Sequence, residues 1–156
     1  MESYRLDYQE RPTTVVKFWL KGDDLQPRAI TRTLGVQPAD SWAKGETIVR
    51  QGKIFPAQRK FGAWCLAPIT SKYEPFEAQL SQLLERLESL PPALADWVRR
   101  FDGFISVGYS SGEGSFGFCI DHSSMQRLCR LGLEIDFDIY PVRAANSDRD
   151  TIQSEE

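Results

Sequence analysis

The chain has one histidine, His122, and a cysteine, Cys119, lies just before it. A thiol beside an imidazole can form a nucleophile and its base, provided that both enter one pocket with an orienting group. The residue pattern places Cys119 on a strand and His122 at a helix start. We therefore favour a buried thiol and a capping-region histidine over a catalytic pair. Because no His, Cys and carboxylate cluster has ligand spacing, we predict no catalytic residue, metal or cofactor.

Three glycines, Gly112, Gly114 and Gly117, form a Gly-x-Gly-x-x-Gly pattern. A dinucleotide site needs this pattern between a strand and a helix, where the helix N-terminus meets the pyrophosphate. The flanking residues instead predict two strands, Phe104 to Tyr109 and Phe116 to Ile120, which indicates a Gly-rich hairpin loop. A kinase glycine loop also lies in a hairpin, but no His-Arg-Asp or Asp-Phe-Gly sequence follows it.

Two carboxylates, Asp136 and Asp138, alternate with apolar residues in the last predicted strand, which ends at Tyr140. Side chains two positions apart on a strand point to the same face. Paired carboxylates can serve acid–base or metal chemistry, although a solvated sheet face is the plainer interpretation. A third interpretation is an acidic docking surface, with Tyr140 beside it, for a basic protein.

The middle of the chain is locally basic and interleaved with aromatic residues: Lys44, Arg50, Lys53, Arg59 and Lys60 lie among Trp42, Phe55 and Phe61. Such a mixture can bind nucleic acid. The formal net charge of -3 argues against that function, since phosphate neutralisation normally requires a basic face. The contrast with the acidic C-terminal third favours oriented docking with a protein.

Composition predicts one globular domain, because 156 residues with 41% hydrophobic and 26% charged residues can bury a single core. We place that domain at 14–143, between a flexible N-terminus (1–13) and an acidic disordered tail (144–156). No stretch is long and apolar enough to span a membrane, and no signal peptide is visible. Three cysteines make a disulfide framework improbable, so we expect the reducing cytoplasm.

The elements that position these residues follow from periodicity and from Gly and Pro punctuation. The predicted strands are Val15 to Leu20, Thr47 to Val49, Phe61 to Leu66, Phe104 to Tyr109, Phe116 to Ile120 and Ile135 to Tyr140. The predicted helices are Pro27 to Leu34, Pro75 to Leu90, Leu94 to Phe101, and one that follows Asp121 and closes at Gly132.

These elements predict an α+β fold: a mostly antiparallel sheet of five to six strands, with helices on one face and ferredoxin-like strand-helix-strand units. Two segments of the chain also show a weak similarity to each other. The run Phe18-x-Leu20 with Leu34-Gly35-Val36 resembles Phe116-x-Phe118 with Leu131-Gly132-Leu133. An internal duplication would explain this similarity, and chance similarity between two strand-helix units explains it equally well.

Several short motifs resemble a known family. Gly22-Asp23-Asp24-Leu25, Leu34-Gly35-Val36-x-Pro38, Trp42-x-Lys44-Gly45, Gly62-x-Trp64 and Gly132-x-x-Ile135-Asp136-Phe137-Asp138-Ile139-Tyr140 are similar to a bacterial domain-of-unknown-function family, number 4279. The resemblance covers about Val15 to Tyr140. The family often has Asp before the helix proline, whereas this chain has Gln26, a poorer cap. Because no activity is assigned to this family, the resemblance does not predict an activity or a catalytic residue for this chain.

The leading hypothesis from the sequence is a non-catalytic protein-binding module, specifically a cytoplasmic immunity protein that inhibits a cognate secreted bacterial toxin. Its predicted partner-binding residues are Trp42, Lys44, Glu113, Asp136, Asp138 and Tyr140. A few buried aromatic or charged anchors would supply the affinity. The alternatives are an enzyme or small-ligand binder with a pocket near His122 and Cys119, and self-association through a sheet edge.

Overall fold

The structure, a computed structural model, describes residues 12–111 and 117–141. Its elements are β1 (Thr13–Gly22), α1 (Pro27–Leu34), β2 (Asp40–Trp42), β3 (Thr47–Arg50), β4 (Lys53–Gln58), β5 (Gly62–Leu66), α2 (Phe76–Glu88), α3 (Leu94–Arg100), β6 (Phe104–Ser111), α4 (His122–Leu131) and β7 (Glu134–Pro141). The acidic tail that we predict at 144–156, and all but the last two residues of the flexible N-terminus, lie outside the described residues.

The main sheet has five strands in the order β2-β5-β1-β6-β7. Neighbours are antiparallel from β2 to β6, but β7 runs parallel to β6. The α+β class is therefore confirmed, with a mixed sheet. Strands β3 and β4 form a separate antiparallel pair.

The predicted strand from Phe116 to Ile120 is wrong, since residues 117–120 form no strand and Phe116 lies outside the described residues. Strand β6 already has β1 on one side and β7 on the other, so neither of its edges is available to a hairpin partner. The apolar residue Phe118 instead packs from a loop against Phe76, with ring centroids 5.2 Å apart. Parallel pairing of β6 and β7 needs a crossover, which α4 provides.

Strand β1 shows how the sheet divides into two faces. Val16, Phe18 and Leu20 are at most 1% exposed and belong to the core that the helices cover. The residues between them are exposed or half-buried, as the two-residue period of a strand requires. Trp64 of β5 lies on the helix side, where its Nε1 donates to Thr31 Oγ1 of α1 at 3.0 Å.

Helix α2 supplies most of the covering surface. Its apolar residues Leu80, Leu83, Leu84 and Leu87 are at most 1% exposed, as the helical period predicts. Gln79 is also buried. It accepts from the Val16 amide through Oε1 and donates from Nε2 to the carbonyls of Thr14 and Glu74.

The two segments with similar sequences match at their helix ends and not at their strands. Helices α1 and α4 both stop at a glycine in the left-handed region, Gly35 (φ 71°) and Gly132 (φ 68°). The second segment lacks the strand that the first has in β1. In the last strand, two of the apolar residues that alternate with the aspartates are not buried, since Phe137 and Ile139 are 39% and 46% exposed. Strand β7 is at the sheet edge, where no further strand of the described chain adjoins it.

Strands β3 and β4 (Thr47–Gln58) form a projecting hairpin, which we call the β3–β4 arm. The predicted extended segment at Thr47 to Val49 is present, but its partner strand was not predicted. Gln51 and Gly52 join the strands with φ of 49° and 74°, both positive as a type I′ turn requires. Ile54 is 76% exposed, so the arm lies outside the core.

Candidate functional site

The side of the main sheet opposite the helices carries the candidate site, which we call the open face. Register places its residues side by side: Trp42 of β2, Lys17, Trp19 and Lys21 of β1, Phe104 and Ser106 of β6, and Asp136, Asp138 and Tyr140 of β7. All are exposed or half-buried. Four strands thus contribute polar and aromatic groups to one continuous surface.

An aromatic pair lies on this face. The ring centroids of Trp19 and Trp42 are 5.7 Å apart, with the planes tilted by 57°. Trp19 Nε1 donates to Ser106 Oγ at 3.1 Å, and Trp42 Nε1 donates to the Phe61 carbonyl at 2.9 Å. Because each indole N–H has a partner, the orientation of both rings is fixed.

Cations contact these rings. The Lys21 ammonium lies 4.8 Å from the ring centroid of Phe104, 5.1 Å from that of Trp19 and 5.9 Å from that of Phe61. The Arg59 guanidinium lies 3.8 Å from the centroid of Trp42. Cation–π attraction of this kind stabilises exposed sites by about 0.5–1 kcal/mol. The β1 and β2 side of the open face is therefore basic and aromatic.

A hollow of ≈ 490 Å³ lies between this side and β7. It is lined by Trp19, Lys21, Phe104, Ser106, Asp136, Phe137 and Asp138. Within residues 12–111 and 117–141, neither Asp136 nor Asp138 forms an ion pair with a Lys or Arg side chain. The hollow thus has an aromatic wall, a cation held by rings and an acidic wall with unneutralised carboxylates.

The six predicted partner-binding residues separate into three groups. Asp136, Asp138, Tyr140 and Trp42 all lie on the open face. Lys44 forms an exposed ion pair with Asp23, with 2.7 Å between Nζ and Oδ2. Glu113 lies outside the described residues.

The alternative site at His122 and Cys119 is not assembled in the described part of the chain. His122 begins α4 as predicted, but its side chain is exposed and its Nε2 lies 2.9 Å from Gln126 Nε2. Cys119 is exposed rather than buried, and it lies in a loop rather than a strand. Its backbone amide donates to Glu77 Oε1 at 2.9 Å. Neither contact orients the imidazole as a base toward the thiol.

The glycine pattern lies between strand β6 and helix α4. It was interpreted as a hairpin loop because a strand was predicted on each side of it, and that prediction is wrong. Gly112 and Gly114 are outside the described residues. The N-terminus of α4 is capped by Asp121, whose Oδ1 accepts from the Ser124 amide at 2.6 Å. That hydrogen bond holds the pKa of Asp121 below its usual value. A carboxylate therefore stands where a dinucleotide site would place its pyrophosphate.

Burial isolates one cysteine from chemistry. The Cys65 side chain of β5 is 0% exposed, and burial raises the pKa of its thiol to about 12. A thiol of that pKa is protonated at neutral pH and is a poor nucleophile. The described residues include no group of three His, Cys, Asp or Glu side chains able to hold a metal ion. They also include no helix with the length and apolar character to cross a membrane.

The basic and aromatic half of the open face was not predicted from the sequence. Lys17, Trp19 and Lys21 alternate with the buried residues Val16 and Phe18 along β1. This period of two was visible in the sequence and would have placed the three side chains on one face. The neighbouring positions of Phe104 and Ser106 depend on pairing between β1 and β6, which sequence spacing does not specify.

Comparison with known proteins identifies a family. No curated protein and no solved structure matches this chain. The family described as "Domain of unknown function (DUF4279)" matches residues 11–142, which include every strand and helix described above. The chain therefore belongs to the DUF4279 family.

Proposed function

We propose that this chain is a non-catalytic module that binds a protein partner on the open face. The observation that carries the proposal is the side of the sheet that none of the described helices covers, where fixed aromatic rings lie beside Asp136 and Asp138, two carboxylates without an ion pair among the described residues. Rigid aromatic side chains and charged groups at the centre of a surface are the usual anchors of protein interfaces. The acidic β7 and the basic β1 differ in sign, which would orient a partner of complementary charge.

The specific role that we propose is inhibition of a cognate toxin, as an immunity protein. A partner surface that meets Asp136 and Asp138 must be basic, and basic clefts are typical of enzymes that act on phosphate-containing polymers. Covering such a cleft blocks access by steric and electrostatic means without any reaction. This role needs no catalytic group on the inhibitor.

We also propose a ferredoxin-like unit within the sheet. The order β2-β5-β1-β6, antiparallel throughout, supports it, since two strand-helix-strand units interleave in this way. Strand β7 would then be an addition that widens the open face and supplies its acidic side.

Site-specific photo-crosslinking in the native cell tests the docking surface. A photoreactive residue at Tyr140, which is 61% exposed on the open face, should capture one protein. The matched control is the same residue at Met125, which is 47% exposed on α4. We expect Asp136→Lys to abolish the crosslink from Tyr140. Glu85→Lys, an equal charge change at an exposed position of α2, should leave the crosslink unchanged.

The result against the proposal is capture of the same proteins from both positions, or of none from Tyr140. RNA captured at Tyr140 in place of protein would indicate nucleic-acid recognition. Toxin inhibition is tested separately by co-expressing the captured protein: growth should be rescued by the parent chain and not by Asp136→Lys. The enzyme alternative predicts that His122→Ala and Cys119→Ala abolish this rescue, whereas we expect both to retain it.

A further inference from the structure

We propose that the hollow beside β7 accepts one arginine side chain of the partner as its central anchor. This inference rests on the proposed function and adds the chemistry that the open face recognises. It concerns the hollow as a whole, that is, its acidic wall, its aromatic wall and the hydroxyl between them.

The acidic wall provides two acceptors for a guanidinium. Asp136 and Asp138 are two residues apart on β7, so their Cα atoms are separated by about 6.6 Å along the strand. They lie opposite Ser106 and Gly108 of β6. A Cβ built on Gly108 would have no atom of the described residues closer than the Val15 carbonyl oxygen at 3.9 Å, so those residues leave the space beside Asp138 open. A planar guanidinium can bond one carboxylate with two N–H groups and still reach the second.

The cation that already lines the hollow does not neutralise that wall. Lys21 lies among the rings of Phe104, Trp19 and Phe61, and it makes no ion pair with either aspartate. Its ammonium stays on the aromatic side of the hollow. The two carboxylates consequently keep their attraction for a second cation, brought by the partner.

The aromatic wall favours arginine over lysine. A guanidinium stacks on rings through its flat face while its edge donates hydrogen bonds, whereas an ammonium is a compact, strongly hydrated charge. This surface already holds one guanidinium in that manner, since Arg59 lies 3.8 Å from the centroid of Trp42. Ser106 Oγ, which accepts from Trp19 Nε1, retains a further lone pair for an incoming N–H.

The test uses Nα-acetyl-arginine amide as the probe and Nα-acetyl-citrulline amide, its neutral near-isostere, as the control. Titration is followed by NMR of the Trp19 indole N–H. We expect the arginine probe to shift this signal with a dissociation constant on the order of 1 mM, and the citrulline probe to bind at least tenfold more weakly. Asp136→Asn and Asp138→Asn should each weaken the arginine probe about fivefold or more. Glu134→Gln changes a carboxylate on the same strand and the same face, opposite Phe104, that does not line the hollow, and it should have less than a twofold effect.

Equal binding of the two probes would overturn the inference, because the hollow would then not recognise charge. If Glu134→Gln weakened binding of the arginine probe as much as Asp136→Asn or Asp138→Asn does, the inference would also be overturned. The probe would then be attracted by the general negative charge of β7 and not by the hollow. Tighter binding of adenosine 5′-monophosphate than of the arginine probe would indicate an anion site. If the arginine probe fails but Asp136→Lys still abolishes the crosslink from Tyr140, the open face docks a protein through another anchor. The proposed function would then stand without this inference.

Discussion

Gln79 is a buried polar side chain that replaces part of a β-ladder. On the N-terminal side of Phe18, β1 is no longer paired with β5. The amide of Val16 and the carbonyl of Thr14 therefore face α2. The carboxamide of Gln79 bonds both groups, at 3.3 Å and 2.8 Å. It joins helix to sheet where the strand has lost its neighbour.

We expect Gln79→Leu to lower the free energy of unfolding by about 2–4 kcal/mol. The substitution keeps the side-chain volume but leaves two buried backbone groups without a partner, at about 1–3 kcal/mol each. Urea denaturation measures the change. Gln82→Leu, on the exposed side of the same helix, should alter stability by less than about 0.5 kcal/mol. Equal losses in the two variants would contradict the role of Gln79.

Cys65 should resist alkylation in the folded protein. The rise of its pKa from 9.0 to about 12 lowers the thiolate fraction at pH 8 by about a thousandfold. Cys119 and Cys129 are exposed and act as internal controls. Peptide mass spectrometry after brief iodoacetamide treatment should find those two modified and Cys65 intact. Modification of Cys65 at a comparable rate would show that its burial is not maintained in solution.

The same pKa makes stability depend on alkaline pH. Well below pH 9 the Cys65 thiol is protonated in both the folded and the unfolded state, so its ionisation does not make stability depend on pH there. Between its unfolded value of 9.0 and its folded value of about 12, the unfolded state holds fewer protons than the folded state. Stability therefore falls as pH rises, by up to about 1.4 kcal/mol per pH unit. Cys65→Ala should show a shallower decline across that range in urea denaturation.

At the scale of elements, two glycines in the strands on either side of β1 differ in the space around them: Gly62 in β5 is crowded and Gly108 in β6 is not. A Cβ on Gly62 would lie 2.7 Å from the Leu25 carbonyl oxygen, a backbone atom that cannot rotate away. A Cβ on Gly108 would meet nothing nearer than 3.9 Å. The close approach at Gly62 brings the loop before α1 against β5.

We expect Gly62→Ala to destabilise the fold by about 1–3 kcal/mol through overpacking. Gly108→Ala should stabilise it by about 0.5–1 kcal/mol, because alanine loses less conformational freedom than glycine on folding into a strand. Thermal unfolding of the two variants and the parent provides the comparison. The order of the two variants is the decisive result, and its reversal would refute the packing described here.

The β3–β4 arm should be dispensable for folding. The arm closes at Glu46 and Arg59, where the Arg59 amide donates to the Glu46 carbonyl at 2.8 Å. Replacing residues 47–58 with Asn-Gly would therefore join a pair that is already in hairpin geometry. We expect the melting temperature to change by a few degrees at most. A large loss of melting temperature would show that the arm supports the core.

Sequence patterns predicted the helices and β1 well because each buries one periodic face. The long helix ends within two residues of its predicted boundaries, at Phe76 and Glu88. The hairpin at Phe116 to Ile120 was wrong because alternating apolar residues fit a strand and a loop packed on Phe76 equally well. Which strand β6 pairs with is a tertiary property, so the sequence could not specify the parallel partner β7.

On the scale of the whole molecule, the two signs of charge lie on one surface. Lys17, Lys21 and Arg59 lie toward β1 and β2, while Asp136 and Asp138 lie on β7. The sequence predicted the acidic pair on the last strand but, of these cations, only Arg59, since Lys17 and Lys21 were not singled out. Only the register of β1, β6 and β7 brings Lys21, Asp136 and Asp138 to one hollow. The candidate site is thus composed of short-range patterns that long-range pairing brings together.

The central position of β1 has a consequence for synthesis. This strand is translated before the other strands of the sheet, and one of its neighbours, β6, is translated much later. Trp19 and Ser106, which are hydrogen-bonded, are separated by 87 residues in the sequence. At about 5–20 residues per second, the ribosome needs roughly 4 to 17 s to supply that neighbour. During this interval one edge of β1 has no strand partner on the nascent chain, although β5 and α2, which precede β6, are already synthesised. Nascent chains that are stalled on the ribosome before β6 emerges should be cleaved readily by protease and bound by chaperones. Nascent chains that have emerged from the ribosome as far as Pro141 should resist digestion.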